Sequence, residues 1–195
     1  MSENQQNSVV EAGFRLKKTV VMVGMMGAGK TAVGRGLAVR LGVPFLDSDA
    51  EIESAANMTV PEIFERDGEP FFRTKETQVI SRLLDEERGI LSTGGGAFLA
   101  EENRANISER GVSVWLNADL ALLWQRVRHK DTRPLLRTAD PRATLAEIYS
   151  ARVPLYALAD VTVPSMPDLS IDEMVDRVIA TLLAERPDVL EKVDA

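Results

Sequence analysis

Cysteine is absent from the 195 residues. That excludes a disulfide framework, a thiolate metal site and a cysteine nucleophile, and it suits a reducing, cytoplasmic compartment. Histidine occurs once, at His129, in a polar stretch where it reads as a solvated loop position. No apolar run approaches the ~20 residues needed to span a bilayer, so no membrane partner is expected. Met1 to Gly13 lacks a basic stretch followed by an apolar one, so no signal peptide is expected, and residues 1–16 read as a disordered extension. Basic residues are also in short supply: 23 Lys and Arg stand against 30 Asp and Glu, for a net charge of −7. Such a balance disfavours nucleic acid, whose phosphates must be neutralised by Lys and Arg.

Against that acidic background one stretch is basic. Arg126, Arg128, Lys130, Arg133, Arg137 and Arg142 are opposed only by Asp131 and Asp140. The cluster suits either a solvated basic face or the handling of a small anion. Hydrophobic residues make up 45% and charged residues 27%, ordinary values for a chain that buries one core.

The hydrophobic pattern alternates between short apolar runs and amphipathic helices. Thr19–Val23 reads as a fully buried strand, followed by a helix from Lys30 to about Leu41 that Gly42 stops. Further strands are expected at 44–46, 89–93, 112–116 and 160–163. Helices are expected at 49–56, 60–66, 70–86, 101–110, 120–127, 141–158 and from Ser170 onward. Thr59 with Glu62, and Ser170 with Glu173, have capping-box spacing. The stripe Ile171, Met174, Val175, Val178, Ile179, Leu182 and Leu183 is expected to be core packing. Strand–helix alternation of this kind implies an α/β fold with a five-stranded parallel sheet, and ligands in such sheets bind beyond the carboxyl ends of the strands. Residues 17–186 read as the single domain and 187–195 as an acidic tail.

Gly24-Met25-Met26-Gly27-Ala28-Gly29-Lys30-Thr31 matches G-x-x-x-x-G-K-[ST] in full, between a buried strand and a helix. Glycines let the backbone turn successive N–H groups toward phosphate oxygens, and the helix adds its positive end. Lys30 supplies a charge for the β- and γ-phosphates, and Thr31 a hydroxyl for Mg²⁺. Met26, Gly27, Ala28, Gly29, Lys30 and Thr31 are therefore the expected ATP contacts. GTPases, ATPases and metabolite kinases share this loop, so the acceptor side must decide the reaction.

Three features bear on the acceptor. Asp47 and Asp49 end a strand; on an extended segment their carboxylates point the same way, one toward a metal through water and one toward an acceptor hydroxyl. The local sequence serves equally well for a helix N-cap at Asp49. Gly94-Gly95-Gly96 follows the strand at 89–93 and suits either a tight turn or close approach of a ligand to the backbone. Arg73, in Pro-Phe-Phe-Arg, and Arg152, in Ala-Arg-Val-Pro-Leu-Tyr, each fit a surface ion pair or a bidentate grip on a carboxylate.

Taken together, and in this order over about 155 residues, these motifs resemble the shikimate kinase family. The phosphate loop, the paired aspartates Asp47 and Asp49, Phe72-Arg73, the glycine triplet, Arg133-Pro134-Leu135-Leu136, and Arg152 with its Pro-Leu-Tyr tail all carry the likeness. The resemblance implies a three-layer P-loop fold with a mobile lid at about 128–139, acting as a monomer on ATP and shikimate with Mg²⁺. It implies that Arg73, Arg152, Asp49 and Gly94 to Gly96 hold shikimate. Asp49 would orient or deprotonate the attacking hydroxyl, and Thr31 would bind Mg²⁺ directly with Asp47 reaching it through water. Arg133 would close over the phosphates, and Arg126 would stack on adenine. Ser92 stands where many P-loop proteins carry an aspartate, and the 165–168 segment lacks the arginines that some members have at the adenine. A kinase for another polyol acid such as gluconate, and a catalytically dead binding protein on the same fold, are the competing readings.

Overall fold

The computed structural model describes residues 13–129 and 134–194. Its main sheet holds five parallel strands. Thr19–Val23 (β2) is the middle strand; β1 lies outside this sheet and is described below. Ile90–Ser92 (β4) and then Phe45–Asp47 (β3) lie to one side, and Gly111–Asn117 (β5) and Val161–Pro164 (β6) to the other. Residues of β2 are 0–3% exposed, as a continuous β-branched run should be in a strand covered on both faces.

Because the strands are parallel, their carboxyl ends lie along one edge. That edge carries Gly24 after β2, Asp47 at the end of β3 and Thr93 after β4. It also carries Ser165 after β6. The Asp47 strand is not next to the phosphate-loop strand; β4 lies between them, in register through Met22, Ser92 and Asp47. The phosphate loop and the aspartates are therefore separated by one intervening strand, and the chain that follows β4 occupies the space between.

Helices flank the sheet. Lys30–Leu41 (α1) buries Val33, Leu37 and Leu41 and ends on Gly42, whose N–H caps Ala38 and Val39 carbonyls. Ser48–Ala56 (α2), Val60–Asp67 (α3) and Glu69–Glu86 (α4) form a subdomain around a second, smaller core of Ile52, Ile63 and Phe72. Glu101–Arg110 (α5), Leu120–Val127 (α6), Pro141–Tyr156 (α7) and Ile171–Glu185 (α8) complete the layers. Both capping boxes, Thr59 with Glu62 and Ser170 with Glu173, are formed.

The chain ends differ from the sequence expectation. Phe14–Leu16 (β1) is not part of a disordered extension, and Leu190–Lys192 (β7) is not a solvated tail; the two pair antiparallel. Leu16, Val189 and Leu190 are buried in the main core. The acids of the tail meet the bases of the N-terminal segment: Lys17 Nζ lies 2.6 Å from Glu191 Oε2, and Lys18 Nζ 3.0 Å from Asp188 Oδ2. Partners some 170 residues apart leave no trace in a local window of sequence. Residues 1–12 lie outside the described residues.

Candidate active site

The phosphate loop turns directly off β2. Gly27 and Gly29 adopt φ of 81° and 94°, a left-handed backbone that side chains rarely tolerate. A Cβ at Gly27 would also strike Val127, so the loop is packed against α6 from outside. Lys30 Nζ donates to the Gly24 carbonyl at 2.7 Å and the Met25 carbonyl at 3.0 Å, folding its ammonium over the loop. The loop floors a cleft of about 590 Å³ that also takes in Asp47, Asp49, Ser92, Gly94, Arg126 and Ser165.

Arg126 spans that cleft's outer wall. Its Nη1 donates to the Gly27 carbonyl at 3.0 Å and its Nη2 reaches Ser165 Oγ at 3.5 Å. It thus ties the phosphate loop to the loop after β6, and burial lowers its guanidinium pKa from the ordinary value. Leu169, Ile171 and Met174 add an apolar wall that sequence reading missed. Ile171 sits in the helical stripe read as core, yet it is 52% exposed and faces this cleft. Periodicity cannot separate the first turn of a helix that lines a site from the turns that bury themselves.

The two aspartates are not side by side on a strand. Asp47 is the N-cap of α2, its Oδ1 accepting from Ala50 N–H at 3.0 Å, while Asp49 lies one step inside the helix. The N-cap reading was right in kind but fell on the other residue. Asp49 is partly buried, and its Oδ1 makes no hydrogen bond. Burial first, and then the nearby carboxylates of Asp47 and Glu53, raise its pKa above the usual 3.8; Arg73 and Lys30 pull the other way.

A second pocket of about 260 Å³ opens beside the first and shares Met26, Asp49, Gly94 and Gly95 with it. Arg73, Gly96 and Arg152 line it too, so every acceptor residue read from the sequence comes to one place. Val60, Phe64, Phe72, Glu76 and Leu135 line it as well. Leu135, 52% exposed, comes from the 3₁₀ turn Pro134–Leu136, so the end of the expected lid reaches this pocket. Arg133 lies outside the described residues.

The glycine triplet is shaped by its neighbours. A Cβ at Gly94 would sit 3.0 Å from Asp49 Oδ2, and one at Gly95 would sit 3.0 Å from Arg152 Nη1. One at Gly96 would overlap the Arg73 guanidinium, 2.7 Å from Nη1. None of the three has positive φ, so what they provide is room. Each glycine makes way for one of three polar side chains that come from α2, α7 and α4.

Glu76 was not singled out by its sequence. It is 1% exposed, one helical turn from Arg73, and its Oε1 accepts from Arg73 Nη1 at 2.9 Å. Burial raises its pKa, with Arg73 as the main opposing influence. A buried acid holding one edge of Arg73 leaves the rest of the guanidinium for an anion. The signal available was a glutamate three residues after Arg73, next to the buried side of an amphipathic helix.

Thr31 and Asp47 line the phosphate cleft with oxygen donors. No cluster of three or more metal-binding side chains occurs among the described residues. One hydroxyl and one carboxylate fit Mg²⁺, which keeps several waters and takes phosphate oxygens, better than an ion that needs an all-protein cage. No helix among the described residues is long and apolar enough to cross a membrane.

Comparison with known proteins agrees with this geometry. A family model described as shikimate kinase matches residues 26–183. The shikimate kinase of Ruegeria pomeroyi is 71% identical over 98% of this chain and 99% of its own length. That of Cereibacter sphaeroides is 66% identical over 91% and 88%. Among solved structures, shikimate kinase from Acinetobacter baumannii in complex with shikimate superposes with a TM-score of 0.80 at 38% identity, covering 87% of this chain and 94% of that one. A gluconokinase from Sinorhizobium meliloti has a TM-score of 0.59 at 19% identity, a likeness of fold alone. A phosphate loop, a neighbouring pocket with two arginines, and relatives of this identity over nearly the full chain lead to one conclusion: the chain belongs to the shikimate kinase family.

Proposed function

We propose that the two joined pockets carry out the reaction of this family, with ATP in the larger cleft and shikimate in the smaller. The chain is an ATP-dependent kinase of aromatic amino acid biosynthesis that phosphorylates shikimate. The observation that carries the residue assignment is the shared wall. Asp49, Gly94 and Gly95 belong to both pockets, so an acceptor hydroxyl held there lies within reach of a phosphate on the loop.

The roles follow from the chemistry of each group. The N–H groups of residues 27–31 and the Lys30 ammonium bind the phosphates. Arg73 and Arg152 grip the planar carboxylate of the acceptor from α4 and α7, and Gly94 to Gly96 leave space for its ring. Asp49 accepts a hydrogen bond from the ring hydroxyl and takes its proton as the phosphoryl group leaves ATP. Arg126 closes the adenine end of the cleft. Thr31 and Asp47 would hold Mg²⁺, which would supply charge compensation at the phosphates. Arg133, from the lid, adds positive charge to the transferring group. Phosphoryl transfer leaves the protein little covalent work, so positioning and charge compensation account for the catalysis. Action as a monomer, in the cytoplasm where ATP is supplied, completes this reading.

The test is a coupled ADP-release assay with ATP and Mg²⁺, run with shikimate, with gluconate and without acceptor. ADP release that needs shikimate is expected. Release with gluconate alone would remove the acceptor assignment and leave the nucleotide assignment standing.

A further inference from the structure

Tyr156 is the largest fully buried side chain among the described residues and ends α7. Its ring stacks between Phe98 and Trp115, at centroid distances of 6.5 and 6.2 Å. Packing alone would accept a phenylalanine there. The hydroxyl, however, donates to the Gly95 carbonyl at 2.6 Å, a short bond. Arg152, one helical turn earlier on the same face of α7, brings its Nη1 to 3.0 Å from where a Cβ on the same glycine would stand. Two residues of one helix therefore meet at Gly95, Tyr156 bonded to its carbonyl and Arg152 in the space where a side chain would be. Burial raises the phenol's pKa and the Arg152 guanidinium opposes that, as expected of close neighbours.

The helix between them lacks one backbone donor. Pro154 lies inside α7, between Arg152 and Tyr156, and has no N–H to donate to the preceding turn. The last turn of α7 thus has one backbone donor fewer, and the Tyr156 hydroxyl adds a tie outside the helix. The far side of the glycine turn is already secured: Asn103 Nδ2 donates to the Ala97 carbonyl at 2.9 Å, and Arg104 Nη1 donates to the Phe98 and Leu99 carbonyls. The Tyr156 hydroxyl joins the secured turn to the end of α7.

We propose that Tyr156 is a positioning residue for the acceptor: its hydroxyl sets Gly95 and Arg152 against each other, so that the carboxylate grip faces the phosphate loop. The proposal rests on the acceptor pocket assigned above. Tyr156→Phe removes the hydroxyl, keeps the ring stack, and takes from the half-buried Gly95 carbonyl its Tyr156 donor. Losing a partner in this way corresponds to roughly a 10-fold change in an equilibrium. The expected result is a rise of about that size in KM for shikimate, with KM for ATP within about two-fold of wild type and Tm lowered by roughly 2–4 °C.

Wild type assayed in parallel separates the two hypotheses, since failure of wild type to use shikimate sinks the acceptor reading whatever Tyr156 does. If wild type is active, a Tyr156→Phe enzyme with unchanged shikimate KM, or with both KM values raised alike, overturns the proposal. A readout on the intact side chain comes from 3-fluorotyrosine labelling. The chain has only two tyrosines, so Tyr149→Phe assigns the signals. The Tyr156 fluorine resonance should shift on adding shikimate and stay in place with ADP; a resonance indifferent to shikimate refutes the role.

Discussion

Gly96→Ala tests whether the glycine triplet works by leaving room. Ordinary contact begins at 3.4 Å, and the added Cβ would stand 2.7 Å from Arg73 Nη1, 2.8 Å from Cζ and closer still to Nη2, so the guanidinium must retreat by about 1 Å. It cannot do so freely, because Nη1 is held at 2.9 Å by the buried Glu76 and the other edge lies 3.4 Å from Glu69. Moving the guanidinium costs either the Glu76 bond or the approach to the acceptor carboxylate. A charge-assisted hydrogen bond is worth ~1.5–3 kcal/mol. That predicts a shikimate KM raised roughly 10- to 150-fold, with KM for ATP nearly unchanged because the phosphate loop is untouched. Steady-state kinetics by coupled ADP release, with each substrate varied in turn, reads both constants. Gly42→Ala is the control of opposite kind: its φ is +64° and nothing lies within 4 Å of the new Cβ. It should cost ~1–2 kcal/mol of stability through backbone strain and leave both KM values alone. A Gly96→Ala enzyme with normal shikimate KM would show that the triplet is merely a turn and that Arg73 has slack.

Asp49 carries two linked expectations. As the base it must be ionised, so kcat/KM for shikimate should fall as pH drops through a pKa lying above the ordinary 3.8, and Asp49→Asn should abolish that limb along with most turnover. A pKa raised in the folded state favours folding below the unfolded value and loses that benefit as pH rises through the folded value. At neutral pH the ionised group therefore burdens the fold, and Asp49→Asn should raise Tm; an asparagine variant that is less stable, or still turns over, contradicts the assignment. Arg133→Ala should lower kcat by ~10³-fold with a smaller effect on nucleotide affinity, and an unchanged kcat would remove Arg133 from catalysis. At the chain ends, hydrogen bonds from Arg186 and Lys18 hold the Asp188 carboxyl well below the usual range. Its contribution is thus present above the unfolded pKa of about 3.8 and lost as pH falls below that. The pair is largely exposed and screened, so Asp188→Asn should lower Tm by no more than ~2–4 °C at pH 7, and the difference should vanish in acid. A deficit that did not shrink at all between pH 5 and pH 2 would point to packing instead.

Which parts of this site were legible in the sequence depends on whether a residue's role is set locally. The phosphate loop is local: eight consecutive residues fix their own backbone, and Gly27, Gly29 and Lys30 behave in the structure as the motif requires. The order of the sheet was less legible, because β4 lies between two strands that precede it in sequence. Least legible were roles set by neighbours from other elements. Glu76 looks like any helical glutamate until its burial against Arg73 is seen, and Ile171 looks like core until the first turn of α8 proves to face the cleft. The β1–β7 clasp shows the same limit. Its acids and bases look solvated in isolation, and only together do they become a matched edge. The glycine triplet lies between these cases. Its position after a strand marked it for attention, but a turn and a binding surface read alike in one dimension. What separates them is that the space above Gly94, Gly95 and Gly96 is already claimed by Asp49, Arg152 and Arg73, carried there by three different helices. A turn glycine is required by its own φ, whereas these three are required by their visitors, and that requirement exists only in the folded chain.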